Sequence, residues 1–192
     1  MNKFLSPKNY ANYIFSKILD FFSIFIRYWE KKYFNKFGSK LLKFQPFFII
    51  GAPRTRSTIF YQAITNQLDV LYINNLTCFL KKNLFFGFWL SNKLFKNKPH
   101  GCFESNFGNT NGLNSTSECG SFWYRFLPKN KHFINYDEVN IRDLQNIKKE
   151  ITTVINYFKK PIFFKNLNAG QRLRMLYKIF PNAKFMYIKR DP

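Results

Sequence analysis

The residues best suited to chemistry crowd into one run, Gly51-Ala52-Pro53-Arg54-Thr55-Arg56-Ser57-Thr58. Arg54 and Arg56 bring fixed charge on forked donors, and the hydroxyls of Thr55, Ser57 and Thr58 add further hydrogen bonds, a set suited to an anion. The run follows the apolar segment Phe47 to Ile50, which reads as a buried parallel strand. It leads into Ser57 to Gln67, where Ile59, Phe60, Ala63 and Ile64 recur at helical spacing. A strand that delivers a loop to the start of a helix aims unsatisfied backbone N–H groups at whatever sits there, and a phosphate or sulfate suits them. The ATP-binding loop GxxxxGK[ST] does not fit. With Gly51 as its first glycine, the second falls on Arg56 and the lysine on Ser57, which argues against a kinase or ATPase of that type.

The elements that would carry this loop alternate. Val70 to Ile73 reads as a short strand, and Ile141, Leu144, Ile147, Ile151, Val154, Ile155 and Phe158 recur every three or four residues along an amphipathic helix that Pro161 stops. Pro161 to Lys165 reads as a second buried strand. Gln171 to Phe180 reads as a helix with Leu173, Leu176, Tyr177 and Phe180 on one face, and Lys184 to Lys189 as a further strand. Strands alternating with helices predict an α/β fold with a parallel sheet covered on both faces. The middle, from about Lys81 to Asn140, has no clear period, and its Gly, Asn and Ser clusters near Asn106 to Ser117 predict a long loop.

Composition bounds the rest. A chain of 192 residues, 46% hydrophobic, supports one domain with an appendage. The net charge of +21 would suit an anionic partner, yet the lysines are dispersed in pairs rather than blocks, and no nucleic-acid module is visible, so no nucleic acid is expected. Cys78, Cys102 and Cys119 form no CxxC pair, and His100 and His132 lie far apart, so neither a disulfide framework nor a metal site is expected; a reducing cytoplasm suits the thiols. Residues 13–29 are apolar but interrupted by Lys17, Asp20 and Arg27, which argues against a transmembrane span. They read as a helix packed on the domain or, alternatively, as an interfacial helix in peripheral contact with a membrane. A boundary near residue 45 divides a helical extension, 1–45, from the main domain, 46–192.

Two motifs carry a family resemblance. GAPRTRST resembles the phosphosulfate loop of sulfotransferases, GxPRSGTT, with Arg56 in place of the usual glycine. FPNAKFMYIKRDP, Phe180 to Pro192, resembles the later family pattern fPxAkfixxxRdP. Ser117 to Phe126, SECGSFWYRF, is similar to the acidic and aromatic segment of bacterial members, and Pro161 to Asn166 to their internal strand ending in Lys-Asn. The resemblance covers about residues 46 to 192. It implies a three-layer sandwich like that of P-loop nucleoside triphosphate hydrolases. It also implies 3'-phosphoadenosine 5'-phosphosulfate as cofactor, with Arg54, Thr55, Arg56, Ser57 and Thr58 on the 5'-phosphosulfate and Arg190 on the 3'-phosphate.

The expected reaction moves a sulfuryl group to a hydroxyl or amine of a small-molecule, carbohydrate or lipid acceptor, without a metal. Arg54 would stabilise the leaving group, and Glu118 is the candidate base, with Glu104 and His100 behind it; Glu118 reads equally as the capping acid of Ser115 to Glu118. Family members continue past the RDP motif, so the sequence also reads as a truncated enzyme. The competing expectation is a non-catalytic remnant that binds nucleotide or an anionic membrane surface.

Overall fold

The computed structural model describes residues 21–52, 54–96, 98–106, 108–128, 131, 133–166 and 171–189. Its centre is a four-stranded parallel sheet in the order β2 (Leu71–Tyr72), β5 (Ile162–Lys165), β1 (Phe47–Gly51), β6 (Lys184–Ile188). Phe47 is in register with Phe163 on one side and Lys184 on the other. Phe48, Ile49 and Ile50 are all buried, as a strand covered on both faces requires.

The pleat sends these side chains into two cores. Phe48, Ile50, Ile162 and Phe164 join the larger one. Ile49 and Phe163 meet Tyr61 of α2 (Ser57–Gln67) in the smaller one, where the Tyr61 hydroxyl donates to the Phe163 carbonyl at 3.0 Å. The larger core is closed mainly by α6 (Ile141–Phe158), whose Leu144, Ile147, Ile151, Val154 and Ile155 are buried in the predicted stripe. Asn140 caps α6 by accepting from the Arg142 N–H at 2.9 Å, and left-handed Lys159 ends it just before Pro161.

Several elements depart from the sequence reading. After β2 comes α3 (Asn75–Phe79), and the middle segment then contains α4 (Leu84–Phe95), a small hairpin of β3 (Ser105–Asn106) and β4 (Asn109–Thr110), and α5 (Gly120–Trp123). In α7 (Leu173–Ile179) the predicted face is half right: Leu176 and Phe180 are buried as expected, but Met175 and Ile179 are buried with them while Leu173 and Tyr177 face solvent. The predicted and the buried sets both satisfy helical spacing, and the packing of α7 against α6 selects the buried one. The sheet is not covered evenly, because β6 is an edge strand with Tyr187 67% exposed.

Residues 21–33 form a helix, α1, that widens into a π turn at Phe34–Gly38. Its inward face is held by the domain. Buried Glu30 accepts from Asn83 Nδ2 at 3.1 Å and from the Phe86 N–H at 3.0 Å, and the Trp29 ring lies against Phe85 and Trp89. Further on, Asn156 of α6 donates to the Phe37 carbonyl at 3.0 Å.

Candidate active site

The loop after β1 leaves the sheet between β5 and β6 and enters α2. Gly51 is required by close approach: a Cβ there would lie 2.8 Å from the Ile188 carbonyl oxygen of β6. Arg54 and Arg56 both adopt left-handed backbone, at φ 68° and 59°, and so form the two corners of the turn. The Thr55 hydroxyl braces it by donating to the Ala52 carbonyl at 2.9 Å. Arg56, at the position where the family loop usually has glycine, thus holds a conformation that glycine adopts without strain and that costs an L-residue about 1 kcal/mol.

Arg56 is also the N-cap of α2, and it makes no side-chain cap hydrogen bond. The N–H groups of Ser57, Thr58 and Ile59 precede the first residue able to bond back along the helix, Phe60, whose N–H reaches the Arg56 carbonyl at 3.3 Å. The first turn carries no acidic residue, and the Arg54 and Arg56 side chains are exposed at the mouth of the loop. Backbone donors and two exposed arginines therefore share the start of α2, an arrangement whose partial and full positive charges favour an anion.

The side chain that ties this loop to the rest of the site is Lys165, the last residue of β5 and in register with Ile49. It is 2% exposed. Its Nζ donates to Thr58 Oγ1 at 2.9 Å and forms an ion pair with Glu118 Oε1. Glu118 is reached through left-handed Cys119 (φ 42°), which turns the chain into α5. The hairpin turn at Gly108 (φ 85°) lies over the carboxylate, and a Cβ there would stand 3.4 Å from Glu118 Oε1. Glu118 and Gly108 both border a cavity of about 440 Å³, whose lining also includes Asn75, Thr110, Ser117 and Cys78.

The alternative reading of Glu118 as a capping acid does not hold. The Ser115 hydroxyl donates instead to the Asn111 carbonyl, and the N-cap of α5 is Cys119. Beside Glu118 the thiols of Cys78 and Cys119 both approach Ser121 Oγ at 3.7 Å. A hydrogen bond from Cys119 pulls the Cys78 thiol down to about 6, while the same contact and burial push Cys119 up. Cys78, Cys102 and Cys119 all carry free thiols.

The other candidate bases stand apart from this group. His100 is buried behind α2, with Nδ1 3.1 Å from the Cys102 carbonyl and Nε2 3.0 Å from Thr65 Oγ1, and desolvation holds its imidazole below the usual range. Glu104 has an exposed side chain, and its backbone carbonyl accepts from Gln62 Nε2 at 3.5 Å. Arg190 lies outside the described residues; the strand that leads to it ends with Ile188 in register with Gly51. His132 also lies outside them. Sequence reasoning passed over Lys165 as a site residue, although a lysine closing an otherwise apolar buried strand, at the carboxyl end where open parallel sheets bind ligands, is the signal that marks it.

A parallel sheet whose inner strand feeds a cationic, hydroxyl-rich loop into a helix start defines an α/β protein of the P-loop-like type. The sequence model of the sulfotransferase family matches residues 46–192. The chain belongs to the sulfotransferase family, and with it to the transferases that move sulfuryl groups. No curated protein and no solved structure matches it. Among the described residues no cluster of His, Cys, Asp and Glu is arranged to hold a metal ion, and no helix is long and apolar enough to cross a membrane.

Proposed function

We propose that this site transfers a sulfuryl group from 3'-phosphoadenosine 5'-phosphosulfate to a hydroxyl or amine acceptor. The observation that carries the reading is buried Lys165, bonded at once to Thr58 of the anion-binding loop and to Glu118 at the edge of a cavity. The donor set suits the cofactor: the unbonded backbone N–H groups of the first turn of α2 share one loop with two arginines and three hydroxyl residues, and no carboxylate lies in that turn. The cofactor supplies the activated sulfuryl group, with a phosphate as its leaving group.

The chain's own residues divide the remaining work. The first turn of α2, with Thr55, Arg56, Ser57 and Thr58, holds the phosphosulfate, and Arg54 places positive charge where the leaving phosphate gains negative charge. Family resemblance assigns the 3'-phosphate to Arg190. Glu118 takes the proton of an acceptor seated in the adjoining cavity. Lys165 bonds Oε1 of Glu118, so the proton goes to Oε2, and the same ammonium fixes the distance between base and loop. Lys165 acts here as a positioning residue.

The test is titration calorimetry with 3'-phosphoadenosine 5'-phosphate, with ATP as control, on the parent chain and on Arg54→Ala and Arg190→Ala. Selective binding is expected. Each substitution should weaken it roughly ten- to hundredfold, the worth of a charge-assisted hydrogen bond. Equal affinity for ATP, or unchanged affinity in both variants, would overturn the reading. No binding by a folded parent chain would leave the non-catalytic remnant as the description.

A further inference from the structure

The outer face of α1 is unlike the rest of the surface. Phe21, Ile24, Phe25 and Tyr28 fall within an arc of about 100° on a helix that turns about 100° per residue, and Phe22 flanks them. All are exposed, with Ile24 at 71% and Tyr28 at 78%. Continuing along the helix, the same side carries Lys31 and Lys32, both exposed. A mobile terminus could bring such residues to the surface by chance, but this helix is fixed from behind. Buried Glu30 bonds Asn83 and Phe86, and Arg27 Nη1 bonds Glu150 at 2.8 Å, so the aromatic face is held outward.

Beside that face lies a cleft of about 570 Å³ whose lining includes Ile24, Tyr28, Arg27, Lys31, Lys82 and Arg125. The helix supplies Ile24 and Tyr28 together with Arg27 and Lys31, and Lys82 and Arg125 complete the lining, so apolar and cationic side chains share the cleft. Arg27 and Arg125 share a single carboxylate, Glu150, which Arg125 grips through both terminal nitrogens at 2.9 and 3.1 Å. Among the described residues the cleft is lined by four cationic side chains, Arg27, Lys31, Lys82 and Arg125, with the carboxylates of Glu30 and Glu150 behind it. Exposed aromatics bordered by lysines suit the headgroup boundary of a bilayer, and the cationic cleft suits a phosphate attached to an apolar chain.

We propose that this face docks on an anionic lipid bilayer. Phe21, Phe22, Ile24, Phe25 and Tyr28 enter the headgroup boundary, and the cleft between α1 and Lys82 receives a lipid phosphate. The helix lies in the interface rather than crossing it, in keeping with the absence of a spanning helix among the described residues. Charge complementarity selects this occupant over a second copy of the chain, whose identical basic face would repel it. The inference does not depend on the sulfuryl donor.

Flotation of the chain with vesicles in a density gradient separates lipid binding from aggregation, because aggregates sink. Vesicles of phosphatidylcholine with phosphatidylserine should carry the chain upward at least about tenfold better than phosphatidylcholine alone, and added salt should weaken the difference. Phe25→Ser with Tyr28→Ser, and separately Lys31→Glu with Lys32→Glu, should each cut binding roughly tenfold. Circular dichroism reports whether the first pair folds; if it does not, the lysine pair, on exposed side chains, decides alone. Equal flotation with both vesicle types and in the lysine variant would overturn the proposal. So would a dimer, seen by analytical ultracentrifugation, that fails to float and that the aromatic substitutions dissolve.

Discussion

At the scale of single residues the loop tells most through Arg56. Its φ of 59° lies where glycine is at ease and an L side chain is strained. At an ordinary position alanine is more stabilising than glycine by about 0.4–1 kcal/mol, because glycine loosens the unfolded chain. Here the order should reverse, with Arg56→Gly more stable than Arg56→Ala by roughly 1 kcal/mol. Both variants lack the guanidinium, so urea denaturation of the two isolates the backbone effect. Alanine equal to or better than glycine would mean that the left-handed corner is absent. The loop itself was legible because strand, basic turn and helix are contiguous in sequence. The joining of Glu118 to Thr58 was not, since it runs through Lys165, a residue distant in sequence from both, and only β5 pairing beside β1 brings the three together. Glu118 could be picked out as a scarce acid, but what it touches is a property of the sheet order.

At the scale of elements, legibility followed period. β1, β5 and α6 announce themselves through continuous apolar runs or a clean stripe, whereas α4 is apolar around most of its circumference, with Leu84, Phe85 and Phe88 buried and Phe86 and Trp89 turned toward Trp29. No stripe means no period, and the helix disappears into an unreadable middle. The junction of α1 with α4 offers a titration. Burial pushes the Glu30 carboxyl up to about 7 from an ordinary 4.5, against the opposing pull of Arg27. The folded chain therefore holds this proton more tightly than the unfolded one. The contribution of Glu30 to stability is greatest below the ordinary value, declines as pH rises from 4.5 to about 7, and is flat above that. Glu30→Gln keeps an oxygen to accept from the Phe86 N–H but does not titrate. Relative to the parent, the variant should gain stability between about pH 4.5 and about pH 7, as read from denaturant midpoints. A difference that stays constant with pH would mean that Glu30 is not buried against α4.

At the scale of the whole molecule, a net charge of +21 acts on every measurement of anion binding. Like charges repel within the compact state, so sodium chloride should raise the melting temperature as the Debye length falls to about 8 Å near physiological ionic strength. That rise is general and should be the same in the parent and in Arg54→Ala. A ligand that occupies the loop acts differently, through mass action: 3'-phosphoadenosine 5'-phosphate at a hundred times its dissociation constant should add about 2.7 kcal/mol, or roughly 5–10 °C for a chain of this size. The charge of the molecule makes the two effects easy to confuse, because any polyanion can screen a basic surface. Thermal melts in a fixed, near-physiological concentration of chloride separate them. Screening is then already present, and only site occupancy remains to lift the parent above Arg54→Ala. Parallel rises in both proteins would place the nucleotide on the basic surface at large, and the loop between β1 and α2 would lose its claim to it.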